Sequence, residues 1–291
     1  MTGILLVDKE QDWTSSDVVA KLRGVLREKK VGHAGTLDPL ATGLLIVMVG
    51  RASRASDLLM RHDKKYRAQL RLGLETDTQD ITGRVLSERP CHAGEEDLSA
   101  LLPSFTGEQQ QIPPMYSAIK LHGRKLYEIA RKGGEVERAP RHVRISSIAI
   151  TGREGEDFVL EVSCSSGTYI RTLCHDIGKA LGCGGCMAGL RRLSSGDYSV
   201  DNAHTIREIE EAAAAGTVQE LLIPVDSAFS QFDALTVNEM QERKLRCGNP
   251  LSVSCPEGSY RVYSETGAFL LLGSVRGGLL KTEKSFYEVS Q

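Results

Sequence analysis

Apolar positions recur along this 291-residue chain in two periods, and the switches between them mark out elements. Ile4–Lys9 (ILLVDK) is a short apolar run that predicts a strand. Val18, Val19, Leu22, Val25 and Leu26 follow at helical spacing in SSDVVAKLRGVLREKK, with Ser15 or Ser16 as the cap. LLIVMVG predicts a buried strand and SRASDLLMRHD a short helix. In KKYRAQLRLGLETDT the alternation is clean: Tyr66, Ala68, Leu70, Leu72 and Leu74 share one face, and Lys65, Arg67, Gln69 and Arg71 the other. That strand is expected to show a basic, accessible face.

Pro113-Pro114 excludes helix from a Gln/Pro-rich extended segment, and RKLYEIARKGG reads as a helix stopped by Gly133. VRISSIAITG and DFVLEVSCSSG read as paired strands, the second with Phe158, Leu160, Val162 and Cys164 inward. TYIRTLCHDIGKALG is then a helix, and LRRLSSGDYSV opens an extended segment. Beyond about residue 228 the pattern changes. LTVNEMQERKLRCGNP predicts a helix ended by Gly-Asn-Pro, and YRVYSETGAFLLLGSVRGGLLKTEKSFYEV predicts three short strands with glycine turns. The expectation is a mixed α/β domain over residues 1–228 and a small β-rich domain over 229–291.

With 41% hydrophobic and 25% charged residues, the composition is that of an ordinary globular protein. No apolar run approaches the ~20 residues that span a bilayer, and the N-terminus reads as the first strand of the fold, not a leader. A cytoplasmic protein without membrane attachment is expected. Seven scattered cysteines favour reduced thiols over a disulfide framework; Cys183 and Cys186 in GCGGCMAG lack the second ligand pair of a zinc site. The net charge is only −2, but Met1–Leu72 holds 13 Lys/Arg against 8 Asp/Glu, and Lys120–Arg144 holds 8 against 3. Two basic regions on a near-neutral chain could meet a polyanion or be solvated faces.

Phosphate-loop, nucleophile-elbow and paired-histidine zinc motifs are missing from the sequence. In GCGGCMAG, Met187 stands where a dinucleotide fingerprint needs its last glycine. The acidic turn ETDTQDITG fails as a calcium loop because Gln79 and Ile81 occupy ligand positions. What remains is a set of polar residues near element ends. Asp38 precedes a proline in the glycine-rich stretch GHAGTLDPLATG, which places it at a bend. Arg171 falls in the first turn of a helix, where the dipole disfavours a cation unless a carboxylate faces it. On residue type alone each has a plainer reading: Asp38 a turn cap, Arg171 a surface arginine, Tyr66 a core aromatic, His33 an exposed loop side chain.

Taken together, GHAGTLDPLATGLL, KKYRAQLRLGLETDT, SSGTYIRTL with DIG, and LRRLSSG resemble, in order and spacing, the bacterial tRNA pseudouridine-55 synthase (TruB) family; GILLVDKEQDWTSSDVV is similar to that family's opening segment. The resemblance covers Gly3 to Val225. It implies a pseudouridine synthase fold, with a mixed, largely antiparallel central sheet flanked by helices, and a PUA-like RNA-binding domain at the C-terminus. It implies isomerisation of uridine to pseudouridine at position 55 in the T-arm loop of tRNA, without cofactor or metal, by a monomer with no obligate protein partner. Asp38 matches the family's catalytic aspartate, attacking either base or ribose. Arg171 matches its partner, expected to depress the carboxyl's pKa, and Tyr66 the tyrosine that stacks on uracil and helps to remove the C5 proton. Tyr169 and Leu190 match pocket-lining positions, and His33 the histidine that fills the loop vacated by the flipped nucleotides. The rival readings are a noncatalytic RNA-binding module, a synthase for another RNA, and a metabolic enzyme with a nucleotide cofactor.

Overall fold

In the computed structural model of this chain, residues 1–117, 119–121 and 123–287 are described. The chain runs β1 (Gly3–Lys9), α1 (Ser15–Val25), β2 (Val31–Ala34), β3 (Thr42–Val49), α2 (Ser56–Met60), β4 (Lys64–Leu72), β5 (Leu74–Thr76), β6 (Val85–Glu88), α3 (Glu95–Leu101), β7 (Gly107–Gln111), β8 (Lys120–Leu121), β9 (Arg124–Lys125) and α4 (Leu126–Ala130). It continues β10 (Arg141–Glu154), β11 (Asp157–Cys164), α5 (Ile170–Ala180), β12 (Gly185–Ser195), β13 (Tyr198–Ser199) and α6 (Ile206–Ala215). The last part holds β14 (Asp233–Val237), α7 (Glu239–Arg246), β15 (Leu251–Ser252), β16 (Gly258–Ser264), β17 (Phe269–Arg276) and β18 (Leu279–Ser285).

The main sheet has the order β1-β3-β12-β4-β11-β10-β7, with β2 paired to β3 and β13 to β12. Its pairings are antiparallel apart from β12 against β3, where Arg191 lies opposite Thr42 and Arg192 opposite Gly43. The parallel contact requires a close backbone approach. Gly43 supplies it at φ +93°, since a Cβ there would stand 2.4 Å from the carbonyl oxygen of Arg192. Both faces of the sheet are covered, which is why β1 and β3 read as continuous apolar runs. Leu5, Val7, Leu45 and Val47 pack into one core with α1, α5 and α6; Ile4, Leu6, Leu44 and Ile46 pack into another on the opposite face.

The second core reaches into the C-terminal sheet, whose order is β14-β16-β17-β18-β15. Phe229, Phe269 and Phe286 form a triad with ring centroids 5.2–5.8 Å apart, joining the two sheets through apolar contact. At its rim Lys284 Nζ meets Asp57 Oδ1 at 2.6 Å, and Arg54 donates to the Ser285 carbonyl at 2.6 Å.

Several sequence expectations are adjusted. The α1 cap is Thr14, which exchanges a reciprocal pair of hydrogen bonds with Asp17, so Ser15 and Ser16 are already helical. LTVNEMQERKLRCGNP is not one helix. Leu235–Val237 belong to β14, and Asn238 caps a helix limited to Glu239–Arg246. The β-branched Thr236 and Val237 pair with β16, and that pairing outweighs the helical spacing. Cys186, from the GCGGCMAG stretch, lies in β12 and is buried. Glu288 and Val289, at the end of the expected last strand, lie outside the described residues.

Candidate active site

Asp38 sits in the 35–41 connection between β2 and β3, and its neighbours explain why it faces outward. Leu37 and Ala41 plunge into the core on either side. The Ser15 hydroxyl accepts from the Leu37 amide at 2.9 Å and donates to its carbonyl at 3.1 Å. The Pro39 carbonyl accepts from the Asp12 amide at 2.9 Å and from Lys9 Nζ at 3.4 Å, and the Ala41 amide closes a turn on the Asp38 carbonyl at 3.1 Å. Anchored before and after, the loop holds up one carboxylate whose side chain is 41% exposed.

Arg171 arrives from the first turn of α5. Its side chain is only 6% exposed, and its guanidinium is fully engaged. Nε lies 3.0 Å from Asp38 Oδ2; Nη1 donates to the Thr78 carbonyl at 3.0 Å and faces Asp80 Oδ2 at 3.5 Å; Nη2 donates to the Tyr116 carbonyl at 2.8 Å. Asp80 is itself buried. Its Oδ1 accepts from the Thr78 hydroxyl at 2.9 Å and from the Thr82 amide and hydroxyl at 3.0 and 2.5 Å. The arrangement is a carboxylate–arginine–carboxylate line with one open end, at Asp38.

Crowding by protein raises the Asp38 carboxyl above the ordinary carboxylate range; Arg171 pulls it down, Asp80 pushes it up and Lys9 pulls it down. The expectation that Arg171 leaves Asp38 with a depressed pKa is thus corrected. The arginine acts in the expected direction, but loss of water around the carboxylate, reinforced by Asp80, outweighs it.

Tyr66 stands on β4 opposite Val162 of β11 and Arg192 of β12. It is 8% exposed and belongs to the main core. Burial pushes its phenol up, against the pull of Arg192, so it remains a neutral hydroxyl at neutral pH. Tyr169 is the residue before α5, half-buried, its amide and carbonyl held by the Gln111 side chain at 2.8 and 3.0 Å. Burial raises its phenol too, and the charges of Arg171 and Asp38 reach it. Asp38, Arg171, Tyr66 and Tyr169 therefore share one electrostatic neighbourhood. His33 is set apart from it, within β2 opposite Val47 and not on an open loop, with a buried Nδ1 that has no hydrogen-bond partner. Leu190 lies in β12, partly buried against the main core, and its carbonyl accepts from the Thr42 hydroxyl at 3.4 Å.

Three residues of the site are not among the sequence candidates. In sequence Asp80 reads as part of an acidic turn; its signal is the alternation Thr78-x-Asp80-x-Thr82, which aims two hydroxyls at one carboxylate. Lys9, fully buried at the end of β1, donates to the carbonyls of Glu10, Trp13 and Pro39, and burial lowers its pKa to about 8. Arg192, 1% exposed, donates to the Leu44 and Gly35 carbonyls at 2.6 and 3.0 Å and so ties β12 to both ends of the Asp38 loop. A buried lysine and arginine leave no periodicity signal, because each occupies a position where the pattern asks only for bulk.

The basic face of β4 is less available than its sequence promises. Lys65 pairs with Glu161 and Arg67 with Glu154, each at 2.6 Å, and Arg71 pairs with Asp157. In the 120–144 region, Arg141 and Arg144 carry no ion pair among the described residues. No described helix is long and apolar enough to cross a membrane, and no described cluster of His, Cys, Asp and Glu has metal-binding geometry.

A mixed sheet covered on both faces, joined to a smaller C-terminal sheet, is also found in chains of solved structures. A chain in the structure of an H/ACA RNP bound to a substrate RNA containing 2'-deoxyuridine superposes with a TM-score of 0.73 at 23% identity, over 98% of this chain and 85% of that one. A chain of a Cbf5-Nop10-Gar1 complex gives 0.74 at 24%, with 98% and 85% covered. The likeness is one of fold, shared over nearly the whole chain. At the level of sequence, the model of the TruB family pseudouridylate synthase N-terminal domain matches residues 23–170, and that of the tRNA pseudouridylate synthase B C-terminal domain matches residues 171–230. The tRNA pseudouridine synthase B of Alkaliphilus oremlandii is 46% identical over 249 residues, 86% of this chain and 82% of that protein. That of Dechloromonas aromatica is 45% identical over 280 residues, 96% and 93% of the two chains. The chain belongs to the TruB family of pseudouridylate synthases.

Proposed function

We propose that this chain isomerises uridine 55 in the T-arm loop of tRNA to pseudouridine, with Asp38 as the reacting carboxylate. The observation that carries the reading is the single open end of the Asp38–Arg171–Asp80 line: the one exposed carboxylate of a buried charge network. The reaction balances without a cofactor. The bond from ribose C1' to uracil N1 breaks, one from C1' to C5 forms, and the C5 proton is exchanged for one on N1. Ionised Asp38 attacks either the base or the ribose and is regenerated at the end. Arg171 supports the ionised form and fixes which oxygen faces the substrate. Tyr66 presents an uncharged ring on which the extruded uracil stacks, and it helps to remove the C5 proton, with Tyr169 and Leu190 lining the approach.

The target base lies stacked within folded RNA, so it must be extruded at a cost of a few kcal/mol, which ring contacts offset. His33 is assigned to the space the extruded nucleotides leave. Residues 1–228 form the catalytic unit and 229–291 a PUA-like RNA-binding unit, acting as a cytoplasmic monomer. Incubation with unmodified tRNA, followed by pseudouridine mapping at single-nucleotide resolution, tests the assignment. Conversion confined to position 55 and lost in Asp38→Asn is expected; conversion elsewhere, or an active Asp38→Asn variant, refutes it.

A further inference from the structure

Cys91 and Cys183 are 92 positions apart in sequence, yet their sulfurs lie 2.8 Å from one another. Both residues are half-buried and so within reach of small solutes. Backbone holds them there. The Gly73 amide donates to the Gly184 carbonyl at 2.9 Å, and the Arg89 amide donates to the Gly73 carbonyl at 2.8 Å, so three segments run side by side with Gly73 in the middle. Gly73 has φ +86°, and a Cβ on it would lie 2.5 Å from the Arg89 carbonyl oxygen and 3.6 Å from the Cys91 Cβ. The missing side chain is what lets the two cysteine segments close over it.

We infer that Cys91 and Cys183 form a redox-reactive thiol pair, closed to a disulfide by small-molecule disulfides of the glutathione type and reopened by excess thiol. In the first step the Cys91 thiolate attacks one sulfur of the small disulfide and expels the other half as a thiolate. In the second, Cys183 gives up its proton and attacks the Cys91 sulfur, releasing the remaining half. Two protein thiols are oxidised, one small disulfide is reduced to two thiols, and the two protein protons end on those thiols. Burial and the neighbouring thiol push Cys183 up to about 11, so the second step is slow at neutral pH and accelerates in base. Closure fastens the segment after β6 to the turn between α5 and β12. Arg171 lies at the far end of α5, about 15 Å along the helix, so the cross-link braces the support of the site without touching Asp38.

The test uses the full chain equilibrated over a range of oxidised-to-reduced glutathione ratios, quenched with an alkylating agent, digested without reduction and mapped by mass spectrometry. A peptide linking Cys91 to Cys183 is expected, with loss of two hydrogens, faster closure at higher pH, and a Tm several degrees higher that dithiothreitol reverses. Cys91→Ser and Cys183→Ser are each expected to abolish the linkage and the shift. Glutathione remaining attached to either cysteine, linkage to the exposed Cys247 instead, or closure without a change in Tm would each overturn the inference.

Discussion

Replacing Arg171 by glutamine removes one charge while keeping polar volume, and its effect on the pH profile follows from the geometry. Nε lies 3.0 Å from Asp38 Oδ2. A unit charge at that distance contributes about 1.4 kcal/mol in bulk water and about 5.5 kcal/mol at an effective dielectric of 20. Because the Asp38 side chain is 41% exposed, solvent screening holds the interaction toward the lower figure. At about 1.4 kcal/mol per pH unit this is roughly 1 to 2 units. The direction is fixed: the arginine lowers the Asp38 pKa, so its loss raises it. Asp80 acts in the same direction, being a like charge that loses its counterion.

On the proposed mechanism turnover needs ionised Asp38, so activity is expected to rise as pH climbs through the Asp38 pKa. The acid limb of kcat/KM in the wild type is expected above the ordinary carboxylate range, and in Arg171→Gln it is expected roughly 1 to 2 units higher still. Pseudouridine formation on unmodified tRNA across pH 4.5–9 measures both limbs, with circular dichroism at each pH to establish that the variant is folded. A folded variant whose rate drops uniformly, with the limb unmoved, would show that Arg171 only holds Thr78 and Tyr116 in place and leave its electrostatic role without support.

Asp38→Asn should abolish turnover, retain tRNA binding, and raise Tm at neutral pH. Because the native pKa lies above the unfolded one, the ionised carboxylate destabilises the fold as pH rises through that interval, and a neutral amide escapes the penalty; a lower Tm would contradict the pKa direction. Lys9 tests the opposite kind of group. Its native pKa is lowered to about 8 from 10.5, so its charge is disfavoured in the fold below that value, and wild type should gain stability relative to Lys9→Met between those two pH values; parallel stability curves would refute this. For RNA binding, Arg67→Gln should leave the slope of log affinity against log salt nearly unchanged, because Glu154 already neutralises Arg67. Arg144→Gln should reduce that slope by about one; equal slopes in filter-binding titrations would dismiss the distinction. Phe286→Ala should remove about 3 kcal/mol or more of stability by opening the aromatic triad, read by urea denaturation; a loss under 1 kcal/mol would mean the two sheets are not held together there.

Which parts of this molecule were legible in advance follows from what each signal measures. Periodicity reports a face, so β1, β3, β4 and α5 were readable wherever one stripe or both faces meet a core, as the split of Leu44 and Leu45 between two clusters shows. It reports nothing about a partner. Lys65, Arg67 and Arg71 alternate as a basic stripe, yet their charges are answered by Glu161 and Asp157 of β11 and by Glu154 at the end of β10, some 90 residues away in sequence, which approach only when the β10–β11 hairpin packs β11 against β4. The same limit hid Asp80. Its role depends on Arg171 arriving from another element, so local sequence showed an acidic turn and nothing more. Strand against helix failed at Leu235–Val237 for the related reason that β14 is held by hydrogen bonds to β16, which local propensity does not contain. Arg171 was the informative exception. A cation in the first turn of a helix is locally unfavourable, and a local penalty implies a distant compensation; here two carboxylates supply it. Local rules thus point to a candidate site best where they are broken, and the broken rule at Arg171 leads to the one carboxylate in the network that water can reach.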